Sequence, residues 1–113
     1  MATIVRLFIP PKQAEVIQTK QYIVVNLSKI VIDKFTGTNT SGTPVKISVN
    51  LIPSGQSADN SNAITFTRSI APGETYTFPE LIGQVLTSGG VISTLCTVAN
   101  SITITASGRE IVQ

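Results

Sequence analysis

The chain contains no histidine and no tryptophan, and Cys96 is its only cysteine among 113 residues. Without histidine, the commonest general base and metal ligand is missing, and neither a Ser-His-Asp nor a Cys-His arrangement can be assembled. A lone cysteine forms no disulfide within the chain and cannot by itself hold zinc. We therefore interpret Cys96 as a small buried apolar residue, with a reactive thiol as the alternative.

Charge is also scarce. Only 12% of the residues are charged, about half of the ~25% that is usual in globular proteins. The eight basic residues are scattered along the chain, so the sequence lacks the basic stripe that neutralises phosphates and predicts no nucleic-acid binding. The hydrophobic share of 42% excludes a disordered tail. Threonine, serine, asparagine and glutamine supply the polarity, which is typical of a Thr-rich β domain or of a protein packed against neighbours.

Membrane and secretion signals are missing as well. No apolar run reaches the roughly 18 residues that a spanning helix needs. The N-terminal segment MATIVRLFIPPK lacks the long apolar stretch and small-residue cleavage site of a signal peptide. We therefore expect a protein that is made and folded in a cytoplasm and has no membrane partner.

The six acidic residues share no local motif that would predict a catalytic carboxylate pair. Residues 59–62 (DNSN) are rich in oxygen ligands, but the closing glutamate of a calcium loop is absent, and we predict a solvated loop there. The sequence thus predicts no catalytic residue, no cofactor-binding residue and no metal ligand. We expect that the protein is not an enzyme and needs no cofactor.

Aromatic residues are few, and they allow two interpretations. Tyr22 and Tyr76 stand beside four phenylalanines, namely Phe8, Phe35, Phe66 and Phe78. These rings could form a stacking platform for sugars or bases, or they could pack the core. Core packing is favoured because most of them lie at inward-facing strand positions. Exposure of Tyr22 and Tyr76 in a groove would instead indicate a carbohydrate-binding module.

What the chain has in abundance is period-two alternation of apolar and polar residues. In residues 45–51 the apolar side chains of Val45, Ile47 and Val49 share one face, and residues 101–107 repeat the pattern. Residues 64–70 are predicted to bury Ile64, Phe66 and Ile70. Alternation of this kind is the signature of antiparallel strands with one buried face. The chain therefore predicts a single all-β domain, residues 1–113, folded as an antiparallel sandwich or jelly roll of seven to nine strands.

Prolines and glycines predict where this pattern is interrupted. We expect Pro10-Pro11 to end a strand over residues 3–9, which makes residues 1–11 a candidate N-terminal arm. Such an arm can fold back as an edge strand or pair with a neighbouring subunit. Residues 14–17 are predicted as a further short strand. In residues 79–86 (PELIGQVL), apolar pairs four apart predict one short helical turn.

Two glycines receive different predictions. Residues 71–74 (APGE) fit a type II turn with Gly73 at positive φ, where a Cβ is disfavoured. Residues 53–62 form the longest loop, and there we expect replacement of Gly55 by alanine to be nearly neutral.

A further pattern lies in three segments, residues 30–55, 68–94 and 104–111. Its most specific parts are APGETYTFPELIGQVL and, near the end, SGREI. From the first segment to the last, the match spans residues 30–111, about three-quarters of the chain. In this pattern the chain resembles a family of small proteins encoded among the structural genes of tailed bacteriophages.

The resemblance implies a β-sandwich component of the virion, made in the bacterial host cytoplasm. The first function that it implies is a capsid cement, or decoration, protein that binds the major capsid protein and stabilises the head as a homotrimer. The alternative is a tail, collar or fibre-attachment subunit with tail or collar partners. A third hypothesis, from a different functional class, is a host carbohydrate-binding module.

Overall fold

A computed structural model describes all 113 residues of the chain and contains nine strands. The strands are β1 (Ala2–Gln13), β2 (Thr19–Ile23), β3 (Ser28–Asn39), β4 (Val45–Ile52), β5 (Ala63–Ile70), β6 (Thr75–Tyr76), β7 (Val85–Thr87), β8 (Val91–Cys96) and β9 (Ile102–Val112). One 3₁₀ turn, Asn60–Asn62, is the only helical element. No helix in the structure has the length and apolarity that crossing a membrane requires.

The strands form two antiparallel sheets. In sheet A the order is β1-β9-β3, and both β6 and β7 pair with the other edge of β3. In sheet B the order is β2-β8-β4-β5. Early strands pair with late strands in a nested way, β1 with β9, β2 with β8, β3 with β6 and β7, and β4 with β5. This nesting across two sheets is the arrangement of a jelly-roll sandwich, so the predicted fold class and strand number are confirmed.

One apolar core lies between the sheets. Twenty buried residues form a single cluster, to which sheet A contributes Ile32, Phe35 and Ile104 and sheet B contributes Ile47 and Ile92. The contributors alternate with more exposed polar residues along β9 and along the first half of β4. The period-two pattern of the sequence therefore places the faces of β4 and β9 correctly.

The two faces of β4 give a direct test of this placement. Ile47 is 1% exposed, whereas its neighbour Lys46 is exposed to solvent. We expect Ile47→Ala to lower the free energy of unfolding by about 2–5 kcal/mol, because it removes buried methyl groups and leaves a cavity. Lys46→Ala should change it by no more than about 0.5 kcal/mol. Urea denaturation of both variants measures the difference, and equal effects would show that the faces are assigned wrongly.

Strand β5 departs from the prediction. Thr65 is buried, whereas Ile64 and Phe66 are exposed, so the face predicted to be buried turns to solvent over this half of the strand. The cause is a β-bulge, since Ile47 pairs with Arg68 and Val49 already pairs with Thr65. One extra residue in a strand inverts the faces on either side of it. Ile70, beyond the bulge, is buried as predicted.

The N-terminal strand is longer than predicted. Pro10 and Pro11 do not end β1, which continues to Gln13 along β9 with register shifts after Leu7 and after Ile9. Proline is tolerated there because β1 is an edge strand and the ladder is already irregular. Residues 14–17 form no strand and connect β1 to β2, so that prediction is wrong.

The remaining connections follow their turn chemistry. The turn of residues 71–74 is closed by Glu74 N–H donating to Ala71 O at 3.0 Å, with Gly73 at φ 78° as predicted. Gly55 also has a positive φ of 79°, in a turn that Gln56 N–H closes on Pro53 O, so alanine there is strained and the expected neutrality is wrong. The helical turn predicted for residues 79–86 is not formed. Residues 79–83 form successive turns, and the chain then enters β7.

Candidate functional site: the open edge of sheet A

Strand β1 forms one end of sheet A, so one side of its backbone pairs with β9 and the other pairs with no strand. Ala2 to Leu7 run in unbroken register with Val112 to Ser107. A regular edge strand presents a row of unpaired N–H and C=O groups, which is a template for another strand. We call residues 2–7 of β1 the open edge. It adopts the fold-back conformation, the first of the two that the sequence allowed.

Natural proteins protect such edges with prolines, bulges and charged side chains. In β1 the two prolines, Lys12 and both register shifts all lie beyond Leu7. Apart from Arg6, the open edge has none of these features and carries exposed apolar side chains, with Val5 at 86% exposure and Leu7 at 53%. Protection is therefore confined to one half of the strand, and the other half is left free to pair.

The single charge of the open edge is neutralised within the chain. Arg6 donates from Nε and Nη2 to the Oε1 atom of Glu110, at 2.8 and 2.5 Å. Glu110 is 2% exposed, and a buried carboxylate needs such a partner to offset its desolvation. Because Arg6 is committed to this pair, its charge does not guard the edge in the way that a free lysine would.

Each acidic side chain of the chain makes a structural contact of its own, and no two of these contacts share a partner. Asp33 binds Arg109, Glu15 binds Lys12, and Glu74 accepts the N–H of Ala71. Asp59 caps the 3₁₀ turn of residues 60–62 by accepting from Ser61 N–H at 2.8 Å. The structure has no group of three or more acidic or cysteine side chains that could hold a metal ion.

Glu80 is the acidic residue that joins the two sheets at their far edges. Its carboxylate accepts hydrogen bonds from Thr65 on β5 and from the Tyr76 hydroxyl on β6, the latter at 2.6 Å. Arg68 lies 4.2 Å from the centre of the Tyr76 ring. Burial raises the pKa of Glu80, but the hydrogen bonds from Thr65 and Tyr76 outweigh burial and lower it below its ordinary value of 4.5.

The lowered pKa predicts how this contact responds to acid. A carboxyl with a depressed folded-state pKa stabilises the fold above its unfolded-state pKa, and this stabilisation is lost as the pH falls through the folded-state value. We expect Glu80→Gln to cost about 1–2 kcal/mol at neutral pH, because it weakens two charge-assisted hydrogen bonds. Urea denaturation at neutral pH and well below pH 4.5 should show the difference from the unmodified protein shrinking in acid. A difference that does not change with pH would contradict this.

The residues considered for chemistry from the sequence are placed in structural roles. Cys96 is buried, its thiol contacts the backbone oxygen of Val98 at 3.2 Å, and burial raises its pKa. Tyr22 and Tyr76 are partly buried against the core, where Tyr22 packs on Phe8 with ring centroids 4.9 Å apart. Phe66 is the exposed aromatic side chain. The tyrosine platform considered for sugars is therefore not formed.

The open edge and the exposure of Phe66 were only partly accessible from the sequence. The apolar character of residues 3–9 was evident, but the pairing of Arg6 with Glu110 joins residues 104 positions apart. For Phe66 a signal was present, since Arg68 interrupts the supposed apolar face of residues 64–70.

Comparison of the chain with protein-family models, with curated proteins and with solved structures finds no match.

Proposed function

We propose that the protein is a non-enzymatic structural subunit of a tailed-bacteriophage particle, and specifically a capsid cement protein. It binds the major capsid protein, reinforces the contacts between capsid subunits and so stabilises the head. The observation that carries the proposal is the open edge. A protein that functions as a monomer would protect such an edge, whereas a subunit that acts by binding its neighbours needs an exposed surface for them. The resemblance of residues 30–55, 68–94 and 104–111 to phage structural proteins supplies the kind of assembly.

The proposed assembly is a homotrimer seated at a local threefold position of the capsid. Closing a ring requires a heterologous contact, in which one surface of each copy meets a different surface of the next. The open edge supplies one side of such a contact. Sheet A ends on its other side at β6 and β7, whose outer backbone is also without a strand partner. The two ends of sheet A thus offer backbone groups of the same type for both sides of the ring.

Imaging of assembled particles tests the proposal. Tailed particles of the phage that encodes the protein, and capsids assembled from its major capsid protein with purified protein added, are imaged by electron cryo-microscopy. The cement role predicts density at many equivalent positions and a higher temperature of capsid disruption. Density confined to the tail vertex would place the protein among tail or collar subunits instead. No density on either structure would refute the virion role.

A further inference from the structure

The outer face of sheet B carries a feature that assembly does not require. At the β5 bulge, Phe66 and Thr67 both lie opposite Ser48 of β4. Thr67 adopts a φ of 49°, and its N–H donates to the Ser48 hydroxyl at 2.8 Å. The bulge holds the Phe66 ring outside the core, 64% exposed. Bulges often reorient side chains next to binding sites. Here the bulge leaves the phenyl ring in solvent, although burying an apolar ring of this size would be favourable.

The Phe66 ring borders a depression of about 210 Å³, which residues 58–60 of the long loop also line. Asp59, Asn60 and Gln18 also line it. A second depression of about 160 Å³ shares Gln18 and Ala58 with the first. The two together form a groove across sheet B, which we call the sheet B groove.

The floor and wall of the groove are fixed by hydrogen bonds. Asn50 Nδ2 donates to the buried Asn62 Oδ1 at 2.7 Å and to Asp59 O at 3.0 Å, which ties the loop to β4. Gln18 Nε2 donates to Ser93 Oγ at 2.8 Å. A site held in this way loses little conformational freedom when a ligand binds.

Several polar groups of the groove remain available. Asp59 caps the 3₁₀ turn by accepting from Ser61 through Oδ1. Its side chain is exposed to solvent, so the carboxylate can accept further hydrogen bonds from a ligand. The Asn60 amide and Gln18 Oε1 make no hydrogen bond within the chain, so they offer donors and acceptors to a ligand. Hydrogen bonds from Ser61 lower the pKa of Asp59, which keeps its carboxylate an acceptor at neutral pH.

These groups select a class of ligand. A flat phenyl face with amide and carboxylate groups beside it matches a pyranose ring, which presents C–H groups on one face and hydroxyls around its rim. The groove has one cation, Lys20, and one anion, Asp59, so it lacks the positive charge that a phosphate or sulfate chain would need. We propose that the sheet B groove binds a neutral oligosaccharide, with Phe66 stacked on a sugar ring and with Asp59, Asn60 and Gln18 bonded to its hydroxyls.

The test uses the full chain. The purified protein is applied to a broad array of immobilised neutral oligosaccharides, and the strongest binder is titrated into isotope-labelled protein by NMR. We expect saturable shifts of the Phe66 and Asn60 amide signals. Phe66→Ala should weaken binding at least about tenfold, and Asn60→Ala should weaken it several-fold. Both side chains are exposed, so both variants should keep the unmodified circular dichroism spectrum.

The matched control is Val98→Ala, an exposed apolar side chain between β8 and β9 that lines neither depression, which should leave sugar affinity unchanged. Binding of no oligosaccharide on the array would overturn the proposal, as would a folded Phe66→Ala variant with unchanged affinity. The outcome is independent of the cement role, because Phe66→Ala leaves the open edge intact and should bind capsids as the unmodified protein does.

Discussion

Gly108→Ala is expected to lower the free energy of unfolding by about 3 kcal/mol or more. A Cβ at Gly108 would overlap the backbone oxygen of Val31 and would lie 2.8 Å from the Phe8 ring. Neither neighbour can move cheaply, because Val31 belongs to the β3 ladder and Phe8 is buried in the core. Domains of this kind are stable by roughly 5–15 kcal/mol, so the loss is a large share of the total.

Urea denaturation followed by circular dichroism measures this loss. Gly42→Ala is the matched control, since an added Cβ there meets nothing within 4 Å and the residue has no positive φ. The control should stay within about 0.5 kcal/mol of the unmodified protein. If the two variants are equally stable, then the close approach of β9 to β3 at Gly108 is not as the structure describes.

Gly108 lies in SGREI, one of the two motifs on which the resemblance rests, and each central residue of that motif has a structural task. Gly108 allows the close approach to β3, Arg109 pairs with Asp33 at 2.9 Å, and Glu110 pairs with Arg6. The motif therefore specifies how β9 is held between β1 and β3. Because these residues make contacts that hold the strands together, the motif is informative about the fold. It carries no information about the binding surfaces, which lie in other parts of the chain.

The first motif, residues 71–86, behaves in the same way. Gly73 and Glu74 close the turn into β6, and Tyr76 and Glu80 join the edges of the two sheets. The buried Phe78 packs 4.7 Å from Phe35 in the core. In residues 79–86 the apolar residues spaced four apart suggested a helix, but this segment forms a run of turns followed by β7.

Alternation predicted the faces of β4 and β9 because the extra residues in their ladders lie in the partner strands β1, β3 and β5. It failed in β5, where a bulge adds a residue and inverts the face that carries Ile64 and Phe66. It also could not decide the fate of the N-terminal segment, since that depends on β9 being available as a partner more than ninety residues away. Local pattern thus predicts faces, while bulges and long-range pairing, which create both candidate surfaces, emerge only in the folded chain.

The second large effect is expected at the open edge. Val5→Lys replaces a side chain that is 86% exposed, so it should change the stability of the folded chain by no more than about 0.5 kcal/mol. A lysine in the middle of a free edge is the device by which natural sheets prevent edge pairing, because adding a strand would desolvate the charge. Deleting the segment would be a poorer test, since Phe8 and Ile9 belong to the core.

Light scattering coupled to size-exclusion chromatography of the unmodified protein, Val5→Lys and Val98→Lys tests the open edge most directly. Val98 is also an exposed apolar residue but lies outside every strand, so its variant controls for the added charge. We predict a trimer for the unmodified protein and for Val98→Lys, and a folded monomer for Val5→Lys that no longer binds capsids. An unmodified protein that is monomeric and still binds capsids, or a Val5→Lys variant that remains a trimer, would contradict the account.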